Sequence, residues 1–236
     1  MIEELDILGM SEAELNARLR SLAGGGHKVI LRNTNARHNL AVDVSGELEV
    51  VIEGSAGFYC CRFLNGPMVT VAGSVGWYAA DNMLGGKLIV HGSAGSSLAP
   101  SMIGGAVLVH GSAGSRAGYG LKGGTVVVCG DVGTLAGQHM LGGRIVLLGK
   151  AGEGAGESMV GGAIIYRPGA IADVGSHAHA RPLEPAESES LATLFAEHHI
   201  RAEPGEFECL VPMPGKHKFR RVEPAEAPEK MLMADG

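Results

Sequence analysis

The residues in this chain that could do chemistry are few, and their spacing decides what each can do. Gly118-Tyr119-Gly120-Leu121-Lys122-Gly123 spells GxGxxG, which between a strand and a helix N-terminus would cradle a pyrophosphate. A β-branched run, Thr125 to Cys129, follows where that helix would have to start, so the spacing does not support dinucleotide binding. Gly149-Lys150 fails as a phosphate loop because Ala151 stands where Ser or Thr would meet magnesium. Cys60, Cys61, Cys129 and Cys209 show no CxxC spacing, and an adjacent pair chelates a metal poorly, so four reduced thiols are expected. His91 and His110 lie 19 residues apart in a column that continues as Cys129, Leu148 and Arg167, which reads as a polar ladder at strand ends. Asp81, Asp131 and Asp173 share no repeat position, which argues against calcium-binding coils. No catalytic, cofactor-binding or metal-ligating set is assigned to the chain.

The elements behind these residues follow one period. Gly54, Gly73, Gly92, Gly111, Gly130 and Gly149 stand 19 residues apart without a slip, and Gly57, Gly76, Gly95, Gly114, Gly133 and Gly152 follow three residues behind them. A third glycine joins the later coils at Gly118, Gly137 and Gly156, and glycine pairs from Gly85-Gly86 to Gly161-Gly162 close each cycle. Between each pair and the next single glycine lies a short run rich in Val, Ile and Leu, too short for a helix.

Two columns, Val50 to Ile164 and Ile52 to Tyr166, sit two residues apart and so share a strand face. With the ladder Leu64, Met83, Met102, Leu121, Met140 and Met159, they are expected to fill the interior of about seven coils. At roughly 4.8 Å per coil, the core would run for about 30 Å. Glycine is expected where corners are sharp and backbones close.

The intervening column, Val51, Thr70, Ile89, Leu108, Val127, Val146 and Ile165, faces the other way and is almost entirely aliphatic. A strand that is apolar on both faces needs cover on both, supplied by a helix of the same chain or by a partner. Ile89, Leu108, Val127 and Val146 are therefore candidate interface residues. Trp77 and Tyr78 join them, as aromatics are favoured at interfaces.

Composition agrees. The 236 residues include 38 Gly but only 5 Phe, 4 Tyr and 1 Trp, with 45% hydrophobic residues, so core material is present but small. Glycine does not recur every third position, which excludes collagen, and the even apolar runs exclude simple disorder. A net charge of −6 argues against a nucleic-acid partner; the one basic cluster is Lys216 to Arg221. An acidic N-terminus and the absence of an 18-residue apolar run predict a cytoplasmic protein without a membrane segment.

The flanks read as caps. Ser11-Glu12-Ala13-Glu14 is a capping box leading into Leu15, Leu19 and Leu22, stopped by Gly24-Gly25-Gly26, and Lys28 to Leu31 reads as a lead-in strand. After Pro182 and Pro185, Ser188 to His198 is a second predicted helix, and the stretch from Pro224 onward is expected to be mobile. The chain thus divides into an N-terminal cap (1–32), the coils (33–181) and a C-terminal helix with a tail (182–236).

From about Asn39 to Gly175 the repeat resembles the GXGXG domain at the C-terminal end of the glutamate synthase large subunit. Free-standing chains of this length are similar in two families: the GXGXG-bearing subunit of N-methylglutamate synthase (methylamine–glutamate N-methyltransferase) and that of formylmethanofuran dehydrogenase. The short helical N-terminus and the lead-in from Asn33 to Asn39 look more like the former. The resemblance implies an all-β, right-handed parallel β-helix with short flanking α-helices, acting as a non-catalytic subunit. Its implied partners are a glutamine amidotransferase-like subunit and a flavin and iron-sulfur subunit of glutamate synthase type, which would carry the FMN and the clusters. A plain glutamate synthase subunit, a stand-alone β-helix hydrolase and a purely structural homo-oligomer are the alternatives; the hydrolase would need carboxylates or histidines aligned on neighbouring coils.

Overall fold

A 19-residue circuit can close only if its strand, its corners and its interior all repeat in step, and a computed structural model describing residues 1–214 shows that they do. Each β-branched run between glycines forms a short strand: β3 (Leu48–Ile52), β4 (Met68–Val71), β5 (Lys87–Val90), β6 (Ala106–Val109), β7 (Thr125–Val128), β8 (Leu141–Leu147) and β9 (Gly161–Tyr166). Successive strands pair in parallel at matching repeat positions, Val50 opposite Val69, Val69 opposite Leu88, and so on to Ile145 opposite Ile164. A second wall repeats as single bridges joining Ala56, Val75, Ala94, Ala113, Val132 and Ala151 in turn. The result is a parallel β-solenoid of about seven coils with two short helices.

The interior is filled by like stacked on like. Val50, Val69, Leu88, Val107, Val126, Ile145 and Ile164 are buried, as are Ile52, Val71, Val90, Val109, Val128, Leu147 and Tyr166, and the Leu64 to Met159 ladder closes the third side. Cys60, Ala79, Leu98, Ala117, Ala136 and Ala155 form a further buried column. The later glycines Gly118 and Gly137 compensate in volume for isoleucine: a Cβ on Gly118 would run into Ile145 Cδ1, and one on Gly137 would lie 2.6 Å from Ile164 Cδ1. Earlier coils carry Cys61, Ala80 and Ala99 at this position.

Two kinds of glycine do different work. At Gly111 the backbone is ordinary but a Cβ would meet the carbonyl oxygen of Gly92, one coil below, at 2.7 Å, so the residue is fixed by close backbone approach. At Gly105, second in its pair, φ is +89°, a left-handed corner that side chains resist. The opposite corner was not legible in the sequence: Tyr59, Tyr78, Ser97, Arg116 and Leu135 hold φ between 56° and 62° in consecutive coils, and Phe63, Asn82, Ser101 and His139 repeat the conformation four residues on.

The N-terminal end is capped as expected, with one addition. Helix α1 (Glu12–Leu22) begins at Ser11, whose hydroxyl accepts from Glu14 N while the Glu14 carboxylate accepts from Ser11 N, and it buries Leu15, Leu19 and Leu22 on the first coil. Buried Asn16 pins it there, donating to Asn39 O and accepting from Val42 N. The lead-in strand β2 (His27–Arg32) pairs with β3, and an unexpected strand β1 (Ile2–Asp6) pairs in parallel on its other side.

The C-terminal end rejoins the sheet. Strand β10 (Ala178–Pro182) leads to α2 (Pro185–Glu197), which starts three residues earlier than predicted because Pro185 occupies its first turn. A 3-10 turn (Pro204–Glu206) precedes β11 (Glu208–Pro212), which inserts antiparallel between β9 and β10. Lys216 to Arg221 and the tail from Pro224 lie outside the described residues. No helix among the described residues is long and apolar enough to cross a membrane.

The glycine columns give a direct test of the stacking. Gly111→Ala should lower unfolding stability by about 1–3 kcal/mol through overpacking, whereas Gly205→Ala, where a Cβ meets nothing within 4 Å, should be close to neutral. Chemical denaturation of both variants measures this, and equal effects would contradict the close-approach argument.

Candidate functional site

The residues with chemical potential are held apart by the coils. Cys60 and Cys61 point into the sealed core, their Sγ atoms 3.7 Å apart; burial, with Cys60 beside it, pushes the Cys61 thiol well up, away from thiolate chemistry. Burial also raises the Cys129 and Cys209 thiols, and all four cysteines are free. Asp81 pairs with Arg62 at 2.9 Å, although its partial burial raises its carboxyl above the usual value. The segment Gly118 to Gly123 runs into strand β7 with no helix N-terminus to receive a phosphate. Among the described residues no group of three or more His, Cys, Asp or Glu is gathered so as to hold a metal.

His91 and His110 stack as the column requires, ring centroids 5.2 Å apart and nearly parallel at 5°. His198, at the C-terminal end of α2, feels both His110 and Lys87. Burial holds His110 and His198 below the ordinary histidine value, helped by His91 beside His110 and by Lys87 beside His198.

The outward aliphatic ridge is covered by its own chain, which corrects the interface expectation for most of it. Leu108, Val127, Val146 and Ile165 are buried in one cluster with Leu191, Leu194 and Phe195 of α2, Phe207 and Cys209. Ile89 is partly buried at the edge of that cluster. The physical reason is that α2 turns its apolar stripe onto the sheet and β11 extends the sheet beneath it. Leu108, Val127 and Val146 are therefore sealed from any partner in this conformation.

Trp77 and Tyr78 fare differently. They stand on the left-handed corner of an early coil, with Trp77 52% and Tyr78 37% exposed. Register stacking aligns them with the coil below. His38, Phe58 and Trp77 form one continuous stack, at 4.6 and 5.4 Å between centroids, and Tyr59 stacks on Tyr78 at 5.1 Å. The Arg62 guanidinium lies over the rings of Tyr59 and Phe63. Both stacks end at the next coil, where Ser96 and Ser97 replace the rings. This makes an aromatic ledge on the outside of a rigid wall. Beside it, Leu84 and Ile103, and beyond Lys122 also Leu141, form an exposed apolar column. Sequence reasoning missed Phe58 and this column, though both could have been found by reading every repeat position for outward apolar residues.

A hydrogen-bond ladder stiffens the adjoining corner. The hydroxyls of Ser55, Ser74, Ser93 and Ser112 each accept from the backbone N–H one coil on, and the Asp131 carboxylate continues the series to Lys150 N. The signal was a Ser or Asp directly after the first glycine of five coils.

A family model described as GXGXG motif matches residues 28–179. Among solved structures, the fold is similar to a chain of the formyltransferase/hydrolase complex (FhcABCD) from Methylorubrum extorquens, determined with methylofuran. The TM-score is 0.58 at 18% identity, with 84% of each chain covered. A comparison with curated protein sequences gave no match.

The histidines generate a pH prediction. Their lowered folded values mean that the unfolded chain takes up protons first as pH falls. Stability should be fullest above the ordinary histidine value of 6.5 and decline below it. Thermal melts across that range check this, and the decline should shrink in a His110→Gln/His198→Gln double variant.

Proposed function

We propose that this chain, which belongs to the GXGXG motif family, is a non-catalytic scaffold subunit of a multisubunit enzyme. The observation that carries this reading is the aromatic ledge. The chain covers its aliphatic ridge with α2, yet leaves Trp77, Tyr78 and Phe58 stacked and exposed on the outer wall. Aromatic clusters of this kind are favoured anchors for protein partners. The wall behind them is held by parallel ladders on every coil, which suits it to fixing the distance between two catalytic bodies.

Within that class, the reading we favour is a subunit of N-methylglutamate synthase, joining methylamine and glutamate. Its partners would be a glutamine amidotransferase-like subunit and a glutamate-synthase-like subunit carrying FMN and iron-sulfur clusters, all in the cytoplasm. Its support is the resemblance of the repeat, the helical N-terminus and the Asn33 to Asn39 lead-in. A second reading, the GXGXG-bearing subunit of a formylmethanofuran dehydrogenase-type complex, draws support from the fold shared with a chain of a formyltransferase/hydrolase complex.

Purification of the native assembly from its own cells tests both. Partner subunits with flavin and iron-sulfur absorbance, and formation of N-methylglutamate from methylamine and glutamate, are expected. Partners without flavin that transfer a formyl group would replace the first reading with the second. A chain that purifies alone, or that turns over substrate alone, would sink the scaffold role. Trp77→Glu should weaken partner binding at least tenfold, within the range of an aromatic anchor, while the isolated chain stays folded and loses only the stacking contact with Phe58, about 0.5–1.5 kcal/mol.

A further inference from the structure

Covering the aliphatic ridge with α2 leaves a cleft of about 660 Å³ at one side of the helix, lined on its polar side by Thr125, Arg144, Glu187 and Ser190. Its size falls in the range of small-molecule sites. Its floor is the second glycine of each pair in three successive coils, Gly124, Gly143 and Gly162, and Ala163, Ile165 and Ala186 give it an apolar wall.

The charge in this cleft is one-sided. The Arg144 guanidinium is held by two hydroxyls, Nε donating to Thr125 Oγ1 at 3.0 Å and one terminal nitrogen to Ser190 Oγ at 2.7 Å. Two of its five N–H donors are used and three remain. Its partners are neutral; burial acts to lower its pKa, and only the more distant Glu197 opposes that. A half-buried cation without a bonded counter-charge is costly, which favours an anion at its free edge. Both hydroxyls accept from Arg144, so each retains its own proton to donate.

The one carboxylate lining the cleft is engaged by another cation, Arg181, and not by Arg144. Glu187 Oε1 accepts from Arg181 at 2.7 Å, and Oε2 accepts from Arg181 at 2.7 Å and from Glu184 N at 2.8 Å. The cleft therefore offers a fork of donors, a short apolar wall and no free carboxylate for an ammonium group.

We propose that this cleft binds a small organic carboxylate, with Arg144 gripping the carboxylate end-on, the Thr125 and Ser190 hydroxyls beside it, and the ligand's short apolar body against Ala163, Ile165 and Ala186. The site is independent of the partner surface at Trp77. It selects against an α-ammonium group, which would meet the Arg144 cation and a carboxylate already paired with Arg181.

The test titrates the full chain at constant ionic strength with sodium butyrate, 2-aminobutyrate and inorganic phosphate, following the Arg144 Nε–H resonance by NMR. Butyrate should saturate with a dissociation constant in the millimolar range, about 1–10 mM for so few contacts. 2-Aminobutyrate should bind about tenfold more weakly. Arg144→Met should lose at least tenfold in butyrate affinity, measured calorimetrically. Arg144 ties α2 to the sheet through Ser190 Oγ, so the second variant is Ser190→Ala, which removes the same tie but keeps the cation; it should weaken butyrate about threefold, and a thermal melt of each variant shows that it is folded. The proposal is overturned if butyrate shows no saturable shift, if phosphate alone saturates, if 2-aminobutyrate binds as tightly as butyrate, or if a folded Arg144 or Ser190 variant binds butyrate as the parent does.

Discussion

Coil-to-coil contact at the single-glycine column sets the terms for everything else in this molecule. Gly111 N donates to Gly92 O at 2.9 Å, and Gly130 N to Gly111 O at 2.9 Å, in an arrangement with no room for a side chain between them. Because that spacing is fixed, every other position stacks on the same position of the next coil, and each wall inherits the same separation. Methionine meets methionine inside, serine hydroxyl meets amide at the corner, and ring meets ring on the outside. The strict period is the sequence record of that contact.

The same constraint explains why apparent chemistry dissolves. A repeat brings residues 19 apart together in space, so any residue type shared by two coils looks like a site. His91 over His110 is such a pair, and the glycines of Gly118 to Gly123 are drawn mainly from structural columns. The positions that break the repeat say more. Arg144 stands in a column that reads Lys87, Ala106 and Thr125 before it, and it alone among these reaches across to α2.

Much of the fold was legible from the period, because glycine and β-branched residues carry strong backbone signals. The interior columns and the Ser11 cap needed nothing beyond local chemistry. What stayed hidden depends on distant partners. Strand β1, Ile-Glu-Glu-Leu-Asp, has no apolar run of its own and forms because β2 offers an edge. Strand β11 has only Cys209, Leu210 and Val211 to mark it, and its antiparallel insertion is decided by β9 and β10. The left-handed corner uses Tyr, Arg, Leu and Phe at most coils, types that announce nothing about φ, so its strain, on the order of 1–2 kcal/mol per residue in the worst case, is visible only in three dimensions. For the candidate surface, Trp77 and Tyr78 were readable as outward aromatics, but the aliphatic ridge looked equally available until α2 was placed over it.

The two ends of the solenoid are built differently from its middle, and that has a consequence for its size. One end starts with α1 and β1, while the other is turned back by β11 against the direction of the coils. Neither end can accept another repeat without dismantling its cap. Any change of length must therefore enter the interior as a whole coil, moving everything beyond it by about 4.8 Å. The solenoid acts as a ruler graduated in single coils, and whatever is fastened at its two ends can be spaced only in those steps.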